Sequence, residues 1–351
     1  MRIIGVDLHA RQQSISMLDT KTGEVVEKTL LHEGAQVREF YAALPQPVLV
    51  GLEATGSMYW FLRLLEELGI DYRVGHPAEI RHAETRKQKH DRRDAALLRR
   101  LLEENRFPSI WLPTGQQRDL RALLLHRQQV VRLRVMAQNG LQALALSQGL
   151  RRGSSLWSAA GQQALESLPL AEYAARRRQE LQEIVRELQR RIEELDQRVS
   201  EQAQQRAVAR RLLSHPGVGP VTALATEVYL GEASRFANGK ALASYVGMIP
   251  SEHCSAKRQR RGALSKQGNP LLRMLWVEAA RQAVRRDPRL KQFYRRKLVQ
   301  KGLGKAVVAT ARKLGIRLWI MMRDQIDYQE FCRRARRMQS HRGSASAGMP
   351  E

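Results

Sequence analysis

Apolar and polar positions alternate through the opening of the chain with a period of two, the period of a strand with one buried face. The stretches "RIIGVDLH" and "QQSISMLDT" keep this pattern, the turn residues "KTGE" interrupt it, and "VVEKTLL" resumes it, which predicts a meander of short strands. A helical stretch over about 35–44 then leads to "PVLVGLEATG", a continuous apolar run of the kind that forms a buried strand. The helix "MYWFLRLLEELG", the short strand "DYRVGHP" and a helix through "KHDRRDAALLRR" come next. A strand meander followed by alternating β and α, with acids at the strand ends, predicts an α/β domain of the ribonuclease H-like class over residues 1–112.

From about 115 to 150 the pattern is helical without a strand signal, and "RRGSS" at 151–155 marks a connector. Leu181, Val185, Leu188, Ile192, Leu195 and Val199 then step by 4, 3, 4, 3 and 4, with Leu at each d position and a β-branched residue at each a. Those choices favour a parallel two-stranded coiled coil between chains, and one helix of an intramolecular bundle is the other reading of so short a run. Residues 113–210 are therefore expected to be a helical linker and coiled coil. A mostly α-helical domain follows over 211–325 and opens with "LLSHPGVGPVTALAT", whose Gly-bearing turn between helical runs is similar to a helix-hairpin-helix. The small, polar, basic residues of 326–351 predict an unstructured tail.

Charge adds a partner to this picture. A net charge of +25 and a pI near 11.0 would strain the fold by self-repulsion unless a polyanion offsets them, and nucleic acid is the first candidate. From Ser251 to Arg317 nineteen Lys/Arg stand against three acids, which locates the phosphate contacts there. Over Arg176 to Glu201, by contrast, seven arginines meet seven acids, a balance suited to protein contact. No run approaches the ~20 apolar residues of a membrane span, and "MRIIGVDLHA" is no signal peptide, so the expected compartment is the cytoplasm. Cys254 and Cys332 are too few, and too unlike a CxxC pair, for a disulfide framework or zinc site.

The acids carry the candidate chemistry. Asp7 and Glu53 each close an apolar strand, and Asp91 and Asp94, three residues apart, share one face of a helix. In a ribonuclease H-like sheet the two strands are neighbours and the helix crosses their ends, so the four carboxylates would converge. Two unit charges ~4 Å apart repel by about 4 kcal/mol at an effective dielectric near 20, so such a cluster stays ionised only around cations, and two Mg²⁺ would fit. The competing reading makes Asp91 and Asp94 counter-charges for Arg92 and Arg93. Actin-like sugar kinases and ATPases also open with a strand, an Asp and a hairpin. They continue with a Gly-rich phosphate loop, whereas Leu8, His9, Ala10 and Arg11 follow here.

"GVDLH", "GLEATG", "KHDRRDA" and "YVGMIPSEHCSAKRQRRGALSKQGNPLLRMLW" resemble, in order and spacing, the signature blocks of the DEDD transposases of the insertion-sequence 110/1111 group, relatives of the Piv-type DNA invertases. The resemblance runs from Arg2 to about Arg323. It implies a RuvC-like N-terminal domain whose metal-binding acids are Asp7, Glu53, Asp91 and Asp94, and a C-terminal domain whose nucleophilic serine is Ser255. It also implies a composite site across subunits of a homodimer or higher oligomer, donor and target DNA, and an element-encoded guide RNA. Ala256 stands where the family usually has Gly and Cys254 where Ser is common, and "LSKQGN" replaces the usual "ISKRGN", so Ser251 and Ser265 stay open as alternatives.

The residues make their own case for Ser255. It falls in an expected loop between "KALASYVG" and a helix beginning near Asn269, amid Lys257, Arg258, Arg260 and Arg261, with Lys266 and Arg273 further on, where a phosphodiester would be held. A serine attacks phosphorus only when its proton is taken, and His253 or a metal site would serve. The expected function is a DNA transposase or site-specific recombinase. The alternatives are a RuvC-like nuclease that forms no covalent intermediate, and a nucleic-acid-binding protein without catalysis.

The charge distribution yields a first test. With about eight phosphate contacts in the basic stretch, log K for DNA should fall against log salt with a slope of roughly −7, and a slope shallower than about −3 would remove that stretch as the main nucleic-acid surface.

Overall fold

The computed structural model describes residues 1–83, 91–151, 153–255 and 258–346, without the side chains of 91, 92, 153, 154, 253–255, 258–261 and 338–346. The chain divides into two units, Met1–Leu112 and Pro113–Glu351.

In the first unit the alternating stretches form β1 (Arg2–Leu8), β2 (Gln12–Asp19) and β3 (Val25–Leu31), followed by α1 (Gln36–Ala42), β4 (Val48–Glu53), α2 (Tyr59–Glu67), β5 (Asp71–Gly75), α3 (Pro77–Ala83) and α4 (Asp91–Glu103). The sheet order is β3-β2-β1-β4-β5, with β1–β2 and β2–β3 antiparallel and β1–β4 and β4–β5 parallel. Ile4, Val6, Val50 and Leu52 turn one face of the sheet into a core with Val37 and Tyr41 of α1 and Phe61, Leu62 and Leu65 of α2. On the other face Ile3 joins Leu97, Leu98, Leu101 and Leu102 of α4, with Ile80 and Phe107. Gly5 sets how closely α4 approaches, because a Cβ there would lie 2.0 Å from the Ala95 carbonyl oxygen and 2.4 Å from the Arg99 nitrogen. Helix backbone thus rests directly on strand backbone.

The second unit comprises α5 (Gly115–Ser147), α6 (Ala159–Glu166), α7 (Glu172–Gln205), α8 (Ala207–Leu213), α9 (Pro220–Leu230) and α10 (Gly239–Tyr245). The hairpin β6 (Pro250–Ser255) and β7 (Arg258–Leu264) follows, then α11 (Pro270–Arg286), α12 (Pro288–Lys301), α13 (Leu303–Arg323) and α14 (Tyr328–Ser346). The heptad seam of α7 packs on α5 of the same chain. Leu181 and Val185 meet Leu141 and Ala145, Ile192 and Leu195 meet Val130, and Val199 and Ala203 join Leu120 and Leu124. The paired segments run in opposite senses, so this is an antiparallel helical hairpin, fastened where Arg127 grips the Asp196 carboxylate with two nitrogens. The parallel coiled coil between chains expected from the heptads is replaced by the intramolecular reading. An a/d seam specifies an apolar partner helix, and α5 supplies one.

Around α9, buried along most of its length, a single core gathers α8, α10, α11 and α13 together with the ends of α5 and α7, so residues 113–210 and 211–325 share one hydrophobic cluster. The turn from α8 to α9 carries Gly217 at φ +86°, where a Cβ would lie 2.4 Å from the Ala283 nitrogen. This glycine serves close packing on α11. The tail expected to be unstructured from 326 is helical over Tyr328–Ser346, because Tyr328 and Phe331 pack against the core. Among the described residues no helix is long and apolar enough to cross a membrane.

Asp287 links four of these helices. It ends α11 and caps α12 by accepting from the Leu290 N–H (2.9 Å), it pairs with Arg317 of α13, and it accepts from the Tyr328 hydroxyl of α14 (2.9 Å). Burial raises its pKa, but the Leu290 hydrogen bond, the Arg317 charge and the Tyr328 hydroxyl outweigh that and leave it below the usual carboxylate range. His215 stacks at 4.5 Å on Tyr328; its Nδ1 meets the Pro216 carbonyl oxygen at 2.9 Å, and its buried Nε2 has no partner among the described residues. Burial pushes this imidazole down to about 4, with the Pro216 hydrogen bond and Asp287 opposing and Arg317 reinforcing the shift.

A base with a depressed folded-state pKa binds its proton more readily in the unfolded chain. Stability is therefore complete above the unfolded value of 6.5 and declines as pH falls from there toward about 4. Urea unfolding at pH 7.5 and pH 5 should differ by about 2 kcal/mol through this residue. His215→Gln should flatten that dependence, and parallel profiles for the two proteins would assign it to another group.

Candidate functional site

In the first unit β1 and β4 end within one residue of each other. Val6 pairs with Leu52 in the parallel β1–β4 ladder, so Asp7 and Glu53, each one residue further, stand side by side at the C-terminal ends of their strands. Both are half-buried. Because β1 alternates, Asp7 shares its face with Ile3 and Gly5, the face on which α4 lies. Asp94 directly precedes Ala95, whose carbonyl abuts Gly5, and is itself half-buried. Asp7 and Glu53 thus lie on the sheet face that α4 covers, and Asp94 is one residue before the α4 carbonyl that abuts Gly5. Asp91 is the first residue of α4, and its side chain lies outside the described residues.

His9, which sequence reasoning passed over, places Nε2 3.0 Å from Asp7 Oδ2. Its signal was present in "GVDLH", since residues 7 and 9 of an alternating strand share a face. Thr55, just past Glu53, keeps a buried hydroxyl without a hydrogen-bond partner among the described residues. Among the described residues no group of three or more His, Cys, Asp or Glu side chains is gathered as for a metal ion. The donors at this end of the sheet are nonetheless carboxylate and hydroxyl oxygens, the chemistry that suits a hard divalent cation.

In the second unit Ser255 is the last residue of β6, paired with Arg258 at the start of β7, so it lies at the tip of a hairpin and not in the loop expected from the sequence. His253 pairs with Arg260, and Arg261 with Glu252. The side chains of His253, Ser255, Arg258, Arg260 and Arg261 lie outside the described residues, as does all of Lys257. Of the alternative serines, Ser251 donates its hydroxyl to the Ala263 carbonyl (3.0 Å), closing the base of the hairpin. Ser265 has a buried hydroxyl with no partner among the described residues. Lys266 is exposed at φ +53°, in the turn after β7. Arg273 spends Nη1 on the carbonyls of Val246 (3.0 Å) and Gly268 (2.9 Å), and burial draws its pKa down. It straps the turn before α11 in place.

Comparison with known proteins follows the same division. A DEDD-type IS110 family model described as "Transposase" matches residues 4–148, a span that includes Asp7, Glu53, Asp91 and Asp94. A second, described as "Transposase IS116/IS110/IS902 family", matches residues 209–295, which include Ser255. A protein of Pseudomonas aeruginosa named "Probable family 20 transposase" is 29% identical over 80% of this chain and 84% of its own length. The "Transposase for insertion sequence element IS1111A" of Coxiella burnetii is 25% identical over 94% of this chain and 92% of its own. That for element IS1328 of Yersinia enterocolitica is 25% identical over 91% and 96%. With the acid-bearing sheet in one matched span, the serine hairpin in the other, and relatives aligned nearly end to end, the chain belongs to the IS110/IS1111 family of insertion-sequence transposases.

Proposed function

We propose that this transposase cuts and rejoins DNA with a RuvC-like, ribonuclease H-type acid site in its first unit and a serine nucleophile in its second. The observation that carries the reading is the β1–β4 register, which puts Asp7 beside Glu53 on the face covered by α4, the helix that carries Asp94. The strand order β3-β2-β1-β4-β5, with a leading antiparallel meander, supports it. Asp7, Glu53, Asp91 and Asp94 would hold Mg²⁺, which when bound favours the ionised nucleophile and offsets charge on the leaving oxygen. The chain's own residues do the rest. His9 orients the Asp7 carboxylate through the 3.0 Å contact, and the arginines of β7 hold the phosphodiester beside Ser255.

The Ser255 oxygen would form a bond to phosphorus as one bond from phosphorus to a deoxyribose oxygen breaks. The serine proton passes to a base, for which His253 is the nearest candidate in sequence, and the departing oxygen takes up a proton. A hydroxyl of the second DNA strand then attacks the same phosphorus and releases serine. Donor and target DNA are the substrates in this reading, and an element-encoded RNA selects them. Two or more chains build the composite site. With the heptad seam covered by α5, the exposed Leu125, Leu133 and Met136 of that helix offer apolar surface for their pairing.

Labelled donor DNA on a denaturing gel tests the reading. Asp94→Asn should abolish Mg²⁺-dependent cleavage while DNA binding holds or tightens, since it removes negative charge and keeps shape. Ser255→Ala should remove both the covalent protein–DNA adduct and the joined product. Cleavage without any adduct in the wild type would establish hydrolysis by a RuvC-like nuclease, an adduct surviving in Ser255→Ala but lost in Ser265→Ala would move the nucleophile, and two unchanged variants would leave only a binding protein.

A further inference from the structure

Within the second unit, α12, α13, α14 and the base of the β6–β7 hairpin enclose an open groove of about 1140 Å³. That exceeds the ~300–1,000 Å³ of small-molecule pockets. Its walls carry Arg289, Arg296, Lys301, Lys305, Arg312 and Lys313, and no acidic side chain is among its lining residues. The floor is apolar, made by Val308, Ala309, Ile316 and Ile320 of α13, with Phe293 of α12 and Phe331 of α14 at its sides. Each aromatic ring has a cation over it: Lys313 Nζ lies 4.3 Å from the Phe293 centroid, and the Arg317 guanidinium 5.6 Å from that of Phe331.

The cations are placed by helical period. Arg289 and Arg296 are seven residues apart on α12, as are Lys305 and Arg312 on α13, so each pair shares one face of its helix. Burial, together with the charges of Arg317 and Arg296, holds the Lys313 ammonium below its ordinary pKa despite Asp287, as expected where positive potential is concentrated.

We propose that this groove binds an unpaired nucleic-acid strand, with phosphates on the cationic walls and a base stacked on Phe293. A duplex turns phosphates outward and hides its base faces, so it could use the walls but not the floor. An unpaired strand offers both surfaces, and a cationic channel with aromatic platforms is how such strands are held. A phosphate arriving beside Lys313 draws its ammonium off the ring and frees that face for the base. The groove begins at Gly262, Ala263 and Leu264 of β7, on the hairpin that carries Ser255. A strand lying in it would thus be delivered toward the nucleophile of the proposed reaction, though binding itself does not depend on that chemistry.

The test uses the full chain in the absence of divalent cations, so that no cleavage intervenes. Labelled oligothymidylate, oligouridylate and a duplex of equal length are titrated by fluorescence anisotropy. Phe293→Leu, which keeps apolar bulk, should weaken the single strands by about 5- to 150-fold, the loss of one stacked base, and leave the duplex unchanged. Phe293→Trp should retain affinity and show indole quenching on binding. Lys305→Gln with Arg312→Gln should make the single-strand salt slope shallower by about 1.4. Preference between the thymidylate and uridylate probes identifies DNA or RNA as the occupant. Unchanged single-strand affinity in Phe293→Leu, an equal loss for the duplex, or displacement of the oligonucleotide by polyglutamate of matched charge would each overturn the proposal. Cleavage and adduct formation by the Asp94 and Ser255 variants are read separately, so failure here leaves the proposed reaction untouched, and the reverse.

Discussion

The second unit depends on one buried carboxylate. Asp287, 1% exposed, stops α11, starts α12, pairs with Arg317 and receives the Tyr328 hydroxyl. Its desolvation is offset only because all its partners are present, and removing one charge of such a pair costs ~3–5 kcal/mol. The dependence extends to the proposed nucleic-acid groove, because the angle between α12 and α13 decides whether their cations face one another across it. Arg317, which anchors Asp287, is itself in the groove lining, so a folding contact and the proposed binding groove share one side chain.

The first unit solves a different problem, that of bringing like charges together. The contact that does it is apolar and uncharged: Gly5 lets the α4 backbone rest on β1, and Ile3, Leu98, Leu101 and Leu102 seal it there. Burial of this face supplies the free energy that sets Asp94 on the side where Asp7 and Glu53 end. A side chain at position 5 would lift the helix and separate the acids without touching any of them.

Legibility in the sequence followed the strength of local pattern. The strands of the first unit were readable because their period of two coincides with their buried face, and the order of Asp7, Glu53 and α4 came with them. The heptads of α7 were readable as a seam, but an a/d pattern does not say which helix covers it, and Val130, Leu141 and Ala145 of α5 do. The hairpin at Ser255 was read as a loop because "SEHCSAKRQRRGALS" has almost no apolar residues to alternate, so the ladder leaves no periodic signal in the sequence. The tail helix was missed for the opposite reason. Two residues, Tyr328 and Phe331, anchor a sequence whose remainder looks unstructured.

The charge balance ties these parts to the chemistry. Met1–Leu112 contains sixteen Lys/Arg and sixteen Asp/Glu, so the whole excess of +25 belongs to the second unit. The proposed reaction requires the protein to hold a polyanion and also to keep carboxylates free to take cations. On a single surface the two demands conflict, since arginines dense enough to bind DNA would pair with the acids and displace metal from them. Separation into a neutral unit that carries the candidate acids and a strongly cationic helical unit removes the conflict. Asp91 and Asp94 are two of the sixteen acids that make the first unit neutral, and Asp94 is half-buried one residue before the α4 carbonyl that abuts Gly5.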